Sequence, residues 1–528
     1  MKRKILFGML IGIFALVLVI EFLTPVIVEP FIKDKLQATL NEKYKDYTIE
    51  IGTIRFSLIP THLELKKITI TPKQEFGGIN NLNGEIESVK FKRIKLTKAL
   101  IKKEFNISEI IIGNSNIKGT IAFQKKEKPP IVLHSTIHIG AVIFDNINLA
   151  LVDSLTTKSF SANESALKLY DINIKKQDTL SFGVIKYFDF KAKELLSVSA
   201  DSMYTYSLND FDYSHTLNAL SIKELVVHPN YSEYDFTARY KVEKDRIEAK
   251  FSDIYLHNFP AEVYLKSGNL ISSFIEIRKM DMHVFRDKRI ADDHSIKPIL
   301  QEVIYNFPGA IRIDSIGLKN AVINYKGHAE KANEPGSISF NKMKASIYNI
   351  TNNAIYKTKD TMLVIKAEAL LMNKGKLSIL FKAKLFDKYN TFSLSGKLSG
   401  MEATAFNPIL EKMAFVQITS GRIDAMTLNF RADNTKSTGQ MTFLYHGLKM
   451  AKISKRTNDT SAFKEQFISF IANAIIIDSN PTQGNEIRIG IIDAERNPEK
   501  FIFNYWLRSA LSGIQSTSVK NKKGKNKQ

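Results

Sequence analysis

The sequence predicts a mainly β protein: an elongated, twisted antiparallel sheet curled into an apolar groove, with an N-terminal transmembrane helix and a few amphipathic helices. Three observations predict it. One phrase, apolar-x-x-apolar-x-apolar-x-Asn-x-x-apolar, occurs three times, at Ile107, Ile110, Ile112, Asn114 and Ile117, at Ile139, Val142, Phe144, Asn146 and Leu149, and at Ile313, Ile316, Leu318, Asn320 and Ile323. Alternating apolar and polar residues, the strand period, recur over hundreds of positions. A basic cluster followed by a long apolar run opens the chain.

The middle of the phrase alternates, and its opening gap of three shifts that alternation by one residue, as a β-bulge does. Its Asn tolerates the left-handed conformation and is expected to end one strand and start the next. Looser copies without the Asn begin at Ile51 and Ile222. A repeated bulged strand–turn–strand unit stacks into an elongated body.

At 528 residues, a prior of roughly 100–200 residues per domain would give about three or four globular domains. The breaks at 75–84, 125–130 and 329–337 read instead as long loops within one extended domain. The absence of cysteine excludes disulfide scaffolds, thiol catalysis and Cys-based metal sites. The net charge of +21 comes from Lys spread along the chain. Arg-rich patches interleaved with aromatics are missing, so nucleic acid is not an expected partner. The same surface suits anionic lipid headgroups.

In order, the chain reads as a cytoplasmic basic N-terminus (1–4), a transmembrane anchor (5–28), an amphipathic helix (29–46), a repeating β-groove body (47–457), a mixed helix and strand region (458–515) and a basic disordered tail (516–528). The apolar run exceeds the usual core of a cleaved signal peptide, and Lys2, Arg3 and Lys4 keep the N-terminus inside. Pro30 suits the first turn of the helix, with Ile32, Leu36, Leu40 and Tyr44 at i+4 spacing. That helix either caps the start of the sheet or lies on the membrane.

Within the body, residues 377–385 and 391–398 form the cleanest strand pair. Leu377, Ile379, Phe381, Ala383 and Leu385 share one face and meet Phe392, Leu394 and Leu398. One-sided patterns recur at Met426, Leu428 and Phe430, at Met441 and Phe443, and at Ile487, Ile489 and Ile491. Apart from the three at 487–491, these are the candidate residues for the floor of a lipid groove. Helical spacing marks 292–307, 461–477 and 499–514, the last holding the only tryptophan, Trp506. Their aromatic stripes are core contacts or docking faces. Roughly 350–400 strand residues at about 10 per strand would give about 35–40 strands, and a length near 170–190 Å.

No catalytic constellation is expected. Asp292, Asp293 and His294 form the densest metal-like cluster, but precede a predicted helix, where Asp is an ordinary first residue. Asp210 and Asp212 alternate on a strand. Neither a phosphate loop nor a G-x-S-x-G motif is present. The chain therefore reads as a protein that is not an enzyme and needs no cofactor or metal.

The anchor, the amphipathic helix and the run IEIGTIRFSLIPTHLELKKI from Ile49 resemble the start of AsmA-like proteins. FPGAIRIDSIGLKNAVINY from Phe307 resembles their internal repeat, and VQITSGRID from Val416 their recurring strand, Ser-Gly, strand phrase. Tyr445-His-Gly-Leu, Ala472-Asn, Asn480-Pro and the 501–512 helix are similar to the C-terminal part of one branch. The resemblance implies a repeating β-groove anchored in the inner membrane with its body in the periplasm. It also implies phospholipid as ligand and a part in lipid movement to the outer membrane or in envelope integrity. The outer membrane or an envelope protein would be met through the C-terminal region. The leading expectation is thus a lipid-handling groove. The alternative is a scaffold that assists outer-membrane protein assembly through exposed strand edges. A periplasmic hydrolase would need an acid/base pair that the sequence lacks.

Overall fold

Alternation with a one-sided apolar face produces strands, and a computed structural model shows them over residues 24–58, 60–73, 81–95, 104–121, 135–175, 185, 187–356, 361–453, 475–482 and 484–520. The anchor lies outside the described residues, except for Thr24–Val28, a short π-helical segment. Among the described residues no helix is long and apolar enough to cross a membrane. Among the described residues, nineteen strands belong to one sheet. The chain divides into two compact units, Met1–Lys223 and Glu224–Gln528.

The first unit opens with α1 (Glu29–Lys43), then β1 (Tyr47–Leu58), β2 (Thr61–Pro72), β3 (Asn81–Ile94), β4 (Glu104–Ile121), β5 (Thr136–Asp153), β6 (Ser159–Ile174), β7 (Tyr187–Val198) and β8 (Tyr204–Ser214). The division falls inside β9 (Ala219–Pro229). Neighbours pair antiparallel, with one correction to the expected pattern: β4 and β5 run parallel. A parallel step needs a crossover of about a dozen residues or more, which residues 122–135 provide.

That step explains the repetition of the phrase. It lays two copies side by side, Ile107 against Ile139, Ile110 against Val142, Ile112 against Phe144 and Ile117 against Leu149. The phrase is not strand–turn–strand, however. Each copy lies inside one long strand. Asn114 (φ 35°) and Asn146 (φ 52°) are left-handed as expected, yet the strands continue past them. They can do so because neighbours carry matching irregularities. Lys67 (φ 56°) and Glu87 fall on the same line as Asn114 and Asn146. Glu164 (φ 45°), Lys193 and Asp210 (φ 48°) form a like line across β6–β8. The Asn146 amide donates to Asn114 Oδ1 at 2.7 Å, and Asn114 donates to Glu87. Across the line the inward parity switches, from the half-buried Ile110 and Ile112 to the buried Ser115 and half-buried Ile117.

The second unit contains α2 (Glu233–Ala238), β10 (Asp245–His257), α3 (Ala261–Ser267), β11 (Leu270–Asp287), α4 (Leu300–Tyr305), β12 (Ile311–His328), β13 (Gly336–Thr351), β14 (Met362–Leu371), β15 (Gly375–Lys384), β16 (Phe392–Glu402), α5 (Asn407–Met413), β17 (Val416–Ala432), β18 (Lys436–Lys452), β19 (Ile475–Ile476), β20 (Ile489–Glu495), α6 (Ile502–Ser518) and β21 (Val519–Lys520). Here β11 and β12 form a second parallel step. In the third copy of the phrase the ladder slips between Leu318 and Ala321, and the left-handed residue is Lys342 (φ 50°) on the facing strand, not Asn320.

The expected helix over 292–307 shortens to α4, because Pro298 disfavours helix before it. The 499–514 helix runs on to Ser518. Its last hydroxyls bond backward, Thr517 to the Gly513 carbonyl (2.8 Å) and Ser518 to that of Ile514 (2.6 Å). Most of the helix expected at 461–477 lies outside the described residues. Strands of up to 18 residues replace the short ones assumed from the sequence, so far fewer make the sheet.

Candidate functional site

In the first unit the register builds apolar rows across consecutive strands. One joins Phe56, Leu63, Phe91, Ile110, Val142, Leu169 and Phe188. The next joins Ile54, Leu65, Val89, Ile112, Phe144, Leu167, Phe190 and Tyr213. At the β1–β2 end these rows are covered: Ile32, Leu36 and Leu40 of α1 pack against Ile49, Ile51, Ile54, Leu65 and Ile68. Farther along, Ile110, Ile112, Phe144, Leu167, Leu169 and Phe190 are only half-buried. Among the described residues there is no helix between β4 and β9. The opposite face carries the ion pairs Lys92–Glu109 (3.2 Å) and Lys191–Asp212 (2.7 Å), with Ile111 and Ile143 side by side between charged neighbours.

The predicted floor residues occupy a different environment. Leu377 pairs with Leu398, Phe381 with Leu394 and Ala383 with Phe392. Phe381, Ala383, Leu385, Phe392, Leu394, Leu398, Leu428, Phe430, Met441 and Phe443 are buried. Leu377, Ile379 and Met426 pack partly buried against them. The cover is α6. Trp506 lies 5.3 Å from Phe381 and Tyr505 5.9 Å from Phe392, ring centre to ring centre. Ser509 meets Ser437 at 2.8 Å in a buried hydroxyl pair.

The phase of β20 is the reverse of the expected one. Ile487, Ile489 and Ile491 are 49, 50 and 64% exposed, while Gly490, Ile492 and Ala494 face the core. Gly490 decides this: a Cβ there would stand 2.3 Å from both the Gly513 carbonyl and Thr517 Oγ1, so α6 seats only on the glycine side.

Both helices also satisfy strand backbone. On α1, Glu29, Lys33, Gln37 and Asn41 recur at i+4 and present one polar stripe to β1. The Phe56, Ile51 and Ile49 amides donate to Glu29, Gln37 and Asn41 at 2.8, 3.2 and 2.8 Å. Lys33 donates to the Gly52 carbonyl and Asn41 to that of Ile49. On α6, Ser516 and Ser512 accept from the Ile491 and Asp493 amides at 3.0 and 3.1 Å. Sequence reasoning missed these stripes and the first unit's rows, although the two adjacent phrase copies supply four of the latter's central residues.

The acidic candidates are engaged in ion pairs. Asp293 accepts from Lys244 (2.7 Å) and Lys297 (2.6 Å), Asp292 pairs with Lys500, and His294 meets Glu499. They sit in a loop, not at the expected helix start. Asp212 pairs with Lys191, and Asp210 is a left-handed strand residue. No protein-family model matches the chain. No curated protein matches it either.

Proposed function

We propose that this chain is a membrane-anchored, lipid-handling protein of the periplasm. Phospholipid acyl chains would lie on the apolar rows of the first unit, as part of lipid transport between inner and outer membranes or of envelope homeostasis. One observation carries this reading: half-buried apolar rows cross β4–β8 with no described helix over them. Contiguous exposed apolar surface marks an interaction site, and each methylene buried there contributes about 0.8 kcal/mol. Headgroups stay in water at the rim. In the second unit acyl chains reach the thirteen candidate floor residues only where the elements packed on them, α6 among them, are displaced.

The scaffold alternative needs strand sides free to pair with a client. The side chains of α1 and α6 occupy backbone groups of β1 and β20, which favours the lipid reading. The test is mass spectrometry of lipid extracted from the purified full-length chain. Wild type is expected to carry phospholipid, and Phe144→Asp, checked for folding by circular dichroism, to lose most of it. A folded Phe144→Asp protein with its full lipid load would overturn the assignment.

A further inference from the structure

We propose that the second unit binds an anionic oligosaccharide on its polar face, a role separate from the lipid reading. Opposite the core, strands β11–β17 line an open, shallow basin of about 1060 Å³.

The net charge of the basin is positive. Lys319, Lys344, Lys366, Lys397 and Glu368 line it. Lys319 is neutralised by Glu276, and Glu368 by Lys376 at 3.0 Å. Lys344, Lys366 and Lys397 meet no carboxylate among the described residues. Lys366 stands 5.7 Å over the Tyr348 ring. These three ammonium groups offer donors to a bound anion.

Their spacing selects an extended anion. The register carries Lys344 to Glu368, Ser378 and Lys397 on successive strands. Lys344 and Lys397 therefore lie three strands apart, about 14 Å at about 4.8 Å per strand. One phosphate cannot span that distance, whereas a chain with charges on successive sugars can. Around the cations the lining includes Ser315, Ser346, Ser378, Ser395, Thr427 and Asn429, donors and acceptors suited to sugar hydroxyls. Phe274 and Tyr348 supply apolar faces for sugar rings. A side chain on Gly317 would stand 3.1 Å from the Phe274 ring. Arginine is absent from the lining, which disfavours bidentate phosphate recognition of nucleic acid.

The test is calorimetry on the full chain with a sulfated hexasaccharide as probe, beside inorganic phosphate, a neutral hexasaccharide and anionic phosphatidylglycerol vesicles. Lys344→Gln/Lys366→Gln/Lys397→Gln is expected to weaken hexasaccharide binding by roughly tenfold or more, since it removes three charge-assisted donors. A matched triple outside the basin, Lys118→Gln/Lys158→Gln/Lys168→Gln, is expected to leave it nearly unchanged. Equal losses in the two triples would assign binding to the general charge of the chain and overturn the site. So would equal affinity for inorganic phosphate or the neutral sugar. Basin-dependent vesicle binding that the hexasaccharide fails to displace would replace the sugar with a lipid surface.

Discussion

Asn146 shows how one side chain lets a strand change its buried face without stopping. Its φ of 52° places any Cβ near the following carbonyl, a strain of roughly 1–2 kcal/mol that Asn tolerates and a β-branched residue does not. Asn146→Val is therefore expected to lower unfolding stability by about 2–3 kcal/mol, counting the lost bond to Asn114. Asn146→Gly should cost under about 1 kcal/mol, because glycine removes the strain. Denaturant midpoints decide it, and equal losses would mean that backbone conformation is not the cause. The Asn residues and the shift in alternation were legible at this scale. What was not legible is that the matching irregularity sits on neighbouring strands, at Lys67, Glu164 and Lys342, residue types that seldom adopt this conformation. Gly490 makes a second case. Gly490→Ala should push α6 outward and cost about 1–3 kcal/mol. The emission of Trp506 reports the shift directly, since that ring packs on Phe381.

At the scale of elements, α1 was foreseen from its apolar residues, and it ends at Lys43, close to the expected boundary. Its polar stripe could not be read, because its partners are backbone groups of a strand 8 to 27 residues away. Gln37→Ala/Asn41→Ala should leave the helix and its apolar contacts in place. The Ile51 and Ile49 amides should then exchange hydrogen faster by roughly fivefold or more, at about 1 kcal/mol per lost bond. Unchanged exchange at both amides would show that water replaces the side chains at no cost. The reversed phase of β20 has a similar origin. Alternation shows that a strand has two faces, but only the close approach of a helix selects Gly490 over three isoleucines as the inner one. The parallel steps were hidden for a related reason: strand direction is set by the crossovers, whose sequences carry no strand pattern.

For the molecule as a whole, the mainly β class and the low helix content were legible, whereas the strand number was not. Bulges were taken as interruptions, and the sheet absorbs them, so strands run longer and fewer. The candidate floor residues were read on the correct shared face, but their cover comes from α6, more than a hundred residues beyond Phe381. The second unit is also fastened by charge. Glu243 and Lys500 meet at 2.6 Å, and Arg496 donates to the Lys297 carbonyl at 2.7 Å. In the adjoining loop, hydrogen bonds from Lys244 and Lys297 hold the Asp293 carboxyl well below its ordinary value of 3.8. A depressed folded-state pKa stabilises above the unfolded value and is lost as pH falls through the folded one. The stability difference between wild type and Asp293→Asn should therefore be constant from pH 7 to 5 and shrink below about pH 4. Thermal melts across that range measure it, and a difference independent of pH would remove the ion pairs from the account.

The helical side chains on β1 and β20 have one more consequence, for concentrated solutions. A β-sheet ordinarily grows by offering its outermost amides to the next chain, which is how strand exchange and fibrils begin. Here Gln37 and Asn41 at one strand, and Ser512 and Ser516 at the other, already occupy those amides. Growth of the sheet at these two strands is closed to a second molecule, so a mainly β protein can be crowded without polymerising through them.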